Sequence, residues 1–569
     1  MDVSQLYLLL ITLFFRIVLF AESVTSQQHD HSSWWGPYRP NLYFGMRSKS
    51  PNSPLLGLMW YKDQDLSHLR HSCEQDGELQ YGWAFYDVRI GGQQILNDTA
   101  NELDLTIDVH LSSSSAWTVE VSGTPRGNDT SWTIVWYIGL DAAEQPLECQ
   151  IRSVLGGKSL LRYLCKGQAP KRGAFEMSLD VDESSMFLPE ASRLDMIRVD
   201  PGTVWQARDH YERLAEDRLE SSLEGLNNLA FIQSVFAGDF AIKIEFNNLT
   251  DAESVHQDPE LTANTFTSPS EATYKPKSPF LDPAYSKFSK ETLANLLGGI
   301  GYFYGTSIVD STFSADHVEA GEEHGTYSLL TTVPSRPFFL RGFLWDTGFH
   351  LMVILDYDID LALEIIFSWL DLMDDDGWIA REQILGPETR SKVPVEFQTQ
   401  YTAYANPPTL FMAVEMIMDR LLCHVKYSGR PSSLSNSTEI LGKLFTKLER
   451  HYNWFRRTQS GSLEGYQVFS ASKNFIEGYR WRGQTDTHVL TSGLDDYPRA
   501  SKPDNNDLHV DALCWVGLMA GVLKRLSSDN HTHPYDQHLE HIRTTLEQLH
   551  WSENNSAYCD ISISPNNTP

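Results

Sequence analysis

Paired metal-binding cysteines are missing from this chain. Its six cysteines are Cys73, Cys149, Cys165, Cys423, Cys514 and Cys559, widely spaced and without a CxxC pair. That excludes a zinc ribbon or finger, and neither a metal nor a cofactor is expected. Basic charge is scarce: 45 Lys and Arg stand against 75 Asp and Glu, a net charge of −30. Such a field repels a phosphate backbone, so nucleic acid is excluded as a partner. There is no long run of one charge sign, no polybasic stripe and no self-similar period. A solenoid of repeats is therefore not expected. Residues 6–21, LYLLLITLFFRIVLFA, are almost wholly apolar but fall short of the ~20 residues of a membrane span and are interrupted by Arg16. Two readings stand for residues 1–26: a signal peptide cleaved after VTS, or a retained signal anchor.

Either reading delivers the rest of the chain to a secretory lumen. Sequons at Asn97, Asn128, Asn248, Asn436, Asn530, Asn554 and Asn566 agree with that compartment. Cys149 and Cys165 flank a short segment and are spaced for a disulfide; Cys423 and Cys514 sit in apolar stretches that read as buried thiols. At 569 residues the chain is too long for one core. Residues 34–245 read as an antiparallel β-sandwich with a trailing helix at about 204–226. In LDLTIDVHL, for example, Leu103, Leu105, Ile107 and Val109 alternate with polar residues. A Pro-rich linker is expected over 246–285. From 286 to 569 the pattern is helical, and SKETLANLLGGIGYFYG and TGFHLMVILDYDIDLALEIIFSWLDLM each read as one helix. Helices in series with polar, aromatic loops suggest an α/α toroid.

Aromatics make up 12% of the chain, with 15 Trp. They recur beside Asp, Glu and Arg in the loops RGFLWDTGFH, DDDGWIAREQILGPETRSKVP, YRWRG and GLDDYPRAS. A ring face for stacking and charged partners for hydroxyls are what a sugar site needs. Glycoside hydrolysis needs a protonated carboxyl group and a second carboxylate. Asp346 is the candidate acid, with Trp345, Phe343 and Phe349 able to desolvate it. It also precedes a helical pattern, where Asp is a favoured N-cap.

At these loops the sequence resembles glycoside hydrolase family 63. The matching stretches are WGPYRPNLYFGMR, VPSRPFFLRGFLWDTGFH, GWIAREQILGPETRSKVPVEF, ANPPTL, YRWRG, SGLDDYPRAS and HVDALCW, in the family's order. The resemblance implies a β-sandwich joined to an (α/α)6 toroid. It implies inverting hydrolysis of the terminal α-1,2-linked glucose of triglucosylated N-glycans on nascent glycoproteins. The setting is the lumenal side of the endoplasmic reticulum, in a type II membrane protein anchored by its N-terminal segment. Asp346 then becomes the general acid. Arg341, Trp345, Trp378, Arg381, Glu382, Trp481, Asp495, Asp496, Tyr497, Arg499 and Asp511 become the substrate-binding set. The family's general base comes from closing helices of the toroid, and no residue here matches it; the toroid is expected to be incomplete at its C-terminal end. A non-hydrolytic glycan-binding chain and another α-glucan-active toroid hydrolase are the alternatives. Departures from the family pattern fall at Leu340, Thr347, Asp507 and Leu508.

Overall fold

The computed structural model describes residues 35–563 apart from 64, 113–114, 128–129, 142–145, 155–159, 170–172, 217–225, 250–277, 313–320, 431–435, 467–476, 496, 498, 500–505 and 528–533. The leader, most of the linker, Asp496 and the sequons at Asn128, Asn530 and Asn566 lie outside the described residues.

Two antiparallel sheets form the N-terminal part. One runs in the order Trp35–Gly36, Gly45–Ser48, Leu55–Lys62, Trp132–Gly139, Leu229–Phe236, Arg193–Ile197. The other runs Leu79–Asp87, Gly91–Asp98, Leu103–Leu111, Ala116–Pro125, Phe240–Asn248, Gly173–Val181, Leu160–Ala169, Glu148–Val154. Strand Leu103–Leu111 buries every second residue, as its sequence alternation predicts. Strand Trp132–Gly139 is buried on both faces. Trp132, Ile134 and Trp136 enter the main core, while Val135 and Tyr137 meet Ala207 and Tyr211 of helix α1 (Ala207–Ala215). That helix is shorter than the expected 204–226: a 3-10 turn, Pro201–Gln206, precedes it and it ends at Ala215.

Cys149 and Cys165 stand directly opposite each other on neighbouring strands and form a disulfide. Their separation of 16 residues closes a loop worth about 3 kcal/mol of unfolded-state entropy. Cys149→Ser should therefore lower stability by about that amount, read as a shift in the urea midpoint at constant slope. The same substitution at Cys423 should have little effect. Cys423 and Cys514 are exposed, contrary to the expectation of buried thiols. Cys423 lies past a helix end at φ 59°, and Cys514 sits on the outer side of its helix.

A helical part follows the sheets. Its helices are α2 (Pro283–Gly298), α3 (Leu344–Tyr357), α4 (Ile359–Leu370), α5 (Gly386–Arg390), α6 (Leu410–Leu421), α7 (Ser437–Thr458), α8 (Val510–Leu526) and α9 (Pro534–Thr545). Two expected helices are broken. α2 stops at Gly298, and Ile300–Asp310 is instead a strand paired with Glu322–Thr332. Two glycines end the helix, and the following IGYFYGTSIV favours an extended chain. The long 347–373 pattern splits at Asp358, whose carboxylate accepts from the Asp360 and Leu361 amides and caps α4.

Buried ion pairs join the two parts. Asp358 is fully buried and pairs with Arg89 at 2.9 Å. Asp87 accepts from Arg430 at 2.8 Å and from the Tyr357 hydroxyl. Arg336 donates to the carbonyls of Pro40 and Leu42. Glu388 of α5 accepts from Arg39 at 3.2 Å and Asn41 at 2.9 Å.

Candidate active site

The segment 341–350 is set by a short ladder and a helix start. Gly342–Phe343 pairs with Glu382–Gln383, placing Phe343 opposite Glu382. The Leu344 amide donates to Arg381 O at 2.9 Å, and α3 begins there. Its N-cap is Phe343, which has no side chain able to cap. Asn406 of the ANPPTL stretch serves instead, accepting from the Trp345 amide at 3.0 Å and donating to Thr491 O at 3.3 Å. The Thr409 hydroxyl donates to Trp345 O at 2.7 Å. Gly348 permits this approach, because a Cβ there would lie 2.0 Å from the Thr409 hydroxyl.

Asp346 thus sits inside the first turn of α3 rather than at its N-cap, and the capping alternative falls. Burial pushes its carboxyl up to about 6, aided by the charges of Asp495 and Glu382 and opposed by a backbone amide. Desolvation outweighs the helix N-terminus, which favours the anion. Trp345 and Phe349 meet edge to face at 5.5 Å beside it. Thr347, fully buried, donates to Phe343 O at 2.9 Å and lies 3.0 Å from the Thr331 hydroxyl, so it belongs to the core.

Glu382 is 3% exposed. One oxygen accepts from Arg341 Nε at 2.7 Å and the other pairs with Arg381. The Arg341 guanidinium also lies over the rings of Phe343, at 4.7 Å, and Phe339, at 5.5 Å. Arg381 reaches on to Leu490 O at 3.4 Å. That contact ties the ladder to the loop carrying Asp495, which is exposed. Gly493, in the left-handed region at φ 73°, packs on Trp345; a Cβ would come 3.0 Å from the indole.

A second constellation follows on the same loop. Arg499 lies over the Tyr497 ring at 5.3 Å and pairs with Asp511 at 2.5 Å and Asp560 at 2.7 Å. Asp560 also accepts from the Val510 amide at 2.8 Å. Trp481 Nε1 donates to both Asp511 oxygens at 3.1 Å. Tyr497, Arg499, Asp511 and Asp560 line a cavity of about 390 Å³. His509 is buried and accepts from the Trp481 amide at 3.0 Å.

The arrangement holds one carboxyl near neutrality, a rigid guanidinium–carboxylate group behind it, and exposed aromatic surface in front. Profiles of known families place it. Glycosyl hydrolase family 63 matches twice: its N-terminal domain over residues 32–235 and its C-terminal domain over residues 250–568. The chain belongs to glycosyl hydrolase family 63. It is 34% identical to the mannosyl-oligosaccharide glucosidase of Saccharomyces cerevisiae, covering 94% of this chain and 76% of that one. The probable mannosyl-oligosaccharide glucosidase of Schizosaccharomyces pombe gives the same three figures. A mannosyl-oligosaccharide glucosidase of Arabidopsis thaliana is 31% identical, over 95% of this chain and 66% of that one.

As a family 63 chain this protein is a glycoside hydrolase. The structure brings Arg341, Trp345, Asp346, Arg381 and Glu382 into one cluster, and Trp481, Tyr497, Arg499 and Asp511 into the next. Two of the tryptophans read as stacking platforms stand behind the surface. Trp481 is fully buried, and Trp378 is 7% exposed with its Nε1 donating to Tyr404 O. Both position neighbours instead of presenting a ring face. Asp560 escaped the sequence reading because it stands alone in a polar stretch; its pairing with Arg499 exists only in three dimensions. Of the described sequons, Asn436 and Asn554 are exposed, Asn97 is half-buried in a strand, and Asn248 is buried. Among the described residues no group of three His, Cys, Asp or Glu is placed to hold a metal, and no helix is long and apolar enough to cross a membrane.

Proposed function

We propose that this family 63 hydrolase removes the terminal α-1,2-linked glucose from triglucosylated N-glycans with inversion, and that Asp346 gives the proton to the departing oxygen. The carrying observation is the Asp346 carboxyl, raised to about 6 beside Trp345 and Phe349. A carboxyl in that range still holds a proton in part of the molecules near neutrality, and so can act as an acid. Glu382 has both oxygens engaged by guanidiniums. It fixes the pocket and is not the group that activates water. Arg341, Trp345, Arg381, Asp495, Asp496, Tyr497, Arg499 and Asp511 then shape the glucose site. The helical part corresponds to an (α/α)6 toroid. The enzyme works on the lumenal side of the endoplasmic reticulum, with its N-terminal segment as the membrane attachment.

Incubation with the triglucosylated oligosaccharide should release one glucose, first seen by NMR as the β-anomer because inversion reverses the α-linkage. Release of α-glucose, or of none, would refute the reading. The pH profile carries a second expectation. The acid works only when protonated, so kcat/KM should decline about tenfold per pH unit above a midpoint near the Asp346 value of about 6.

A further inference from the structure

A cavity of about 290 Å³ lies in the seam between the sandwich and the helical part. Arg47, Asp141 and Trp205 line it from one side, and Tyr304, Gly386 and Glu388 from the other. Its size is that of a small ligand site. The loop that holds Glu382 in the candidate active site runs straight on to Gly386 and Glu388 here.

Charge is distributed unusually across this cavity. Arg39 is already engaged, donating to the Tyr137 hydroxyl at 2.5 Å and to Glu388. The Arg47 guanidinium lies over the Tyr302 ring at 5.0 Å, and among the described residues its Nε has no hydrogen-bond partner. Asp141 feels the charges of Arg47 and Arg39, yet among the described residues no ion pair joins it to either. Burial holds its carboxyl up to about 7, so it can both donate and accept near neutrality. Arg47 and Asp141 thus bring opposite charges to the wall of one cavity without an ion pair between them, and a polar occupant there would satisfy both.

The lining selects the class of bridge. An anion meets Asp141 and Glu388, a cation meets Arg47, and an apolar ligand strands all three. A neutral polyhydroxyl ring satisfies them. Its hydroxyls donate to Asp141 and accept from Arg47, while its apolar face lies on Trp205 or Tyr304. We propose that the seam cavity is a second carbohydrate site, separate from the hydrolytic one, which binds a single neutral pyranose unit between Arg47 and Asp141.

The test uses the full chain and two probes, methyl α-D-mannopyranoside and methyl α-D-glucopyranoside, followed by saturation-transfer NMR titration. At least one probe should bind wild type and bind Asp346→Asn equally. Arg47→Met should weaken that binding at least tenfold. Gly202→Leu fills the rim without removing a buried charge; a Cβ there meets only Asp200 Oδ1, at 3.2 Å. It should weaken binding as much while keeping the wild-type melting temperature. No binding by wild type, or wild-type affinity in Gly202→Leu, overturns the proposal. So does binding that is lost in Asp346→Asn but kept in Arg47→Met. Glucose release is read separately, so failure of the hydrolytic reading would leave this result intact.

Discussion

Replacing Asp346 with asparagine should cut glucose release by about 10²–10⁴-fold while leaving glycan affinity within a few-fold. Asparagine keeps the shape of the side chain and its place in the first turn of α3, but it has no proton to give. The same variant should be the more stable protein at pH 7. Burial raises the folded-state pKa of Asp346 above the ordinary carboxyl range, to about 6. The folded chain therefore binds the proton more tightly than the unfolded chain does. The stability this contributes is present below about pH 4 and is lost as pH rises through about 6. Above that, the ionised carboxylate is a cost that asparagine removes. The cost has a ceiling of ~3 kcal/mol, reduced to ~1–2 kcal/mol because Asp346 is only partly shielded from water. Melting curves of the two proteins at pH 4 and pH 7 check this: the variant should gain at pH 7 and lose its advantage at pH 4. Near-wild-type turnover in Asp346→Asn would mean that another group supplies the proton.

The second large effect is expected at Glu382. Glu382→Gln removes the charge that balances Arg341, which is itself 6% exposed. Breaking one side of a buried pair costs about 3–5 kcal/mol, because the remaining ion stays out of water. Arg381 is less enclosed and can turn to solvent, so Arg341 dominates the loss. Chemical denaturation should show a lower midpoint with unchanged slope, and glucose release should fall because the ladder under Asp346 loosens. The double variant Arg341→Met, Glu382→Leu separates structure from function. It should recover much of the stability, since an apolar pair can replace a buried ionic one. Activity should stay low, since no guanidinium remains at position 341. Recovery of activity along with stability would show that the ion pair matters only for folding.

The sequence disclosed some of this and hid the rest for identifiable reasons. Period-2 alternation at Leu103, Leu105, Ile107 and Val109 is a property of the strand itself, so it could be read directly. Asp346 stands out in the sequence because a carboxyl group among aromatic residues is chemically unusual. The hairpin Ile300–Thr332 was missed because its apolar run continues the preceding helix without a change in composition. The break at Asp358 was missed because an aspartate caps a helix only when its φ and ψ allow it, here −147° and 99°. Trp378 and Trp481 show a different limit. An indole beside arginine looks the same in sequence whether it faces a ligand or a neighbouring helix. Only tertiary packing determined that Trp481 turns inward to Asp511.

The mounting of α3 has a consequence for exchanging parts between enzymes of this family. Its first turn is gripped by Asn406 and Thr409, and its last residue, Tyr357, bonds to Asp87 of the sandwich. The helix therefore acts as a strut between two foundations, with Asp346 near one end and the sandwich fastened at the other. A graft that replaced only the sandwich would shift the far foundation, and the error would travel along the rod to the carboxyl group. Hybrid enzymes should tolerate a foreign sandwich only when Asp87, Arg89 and their partners Tyr357, Asp358 and Arg430 are transplanted as a matched set.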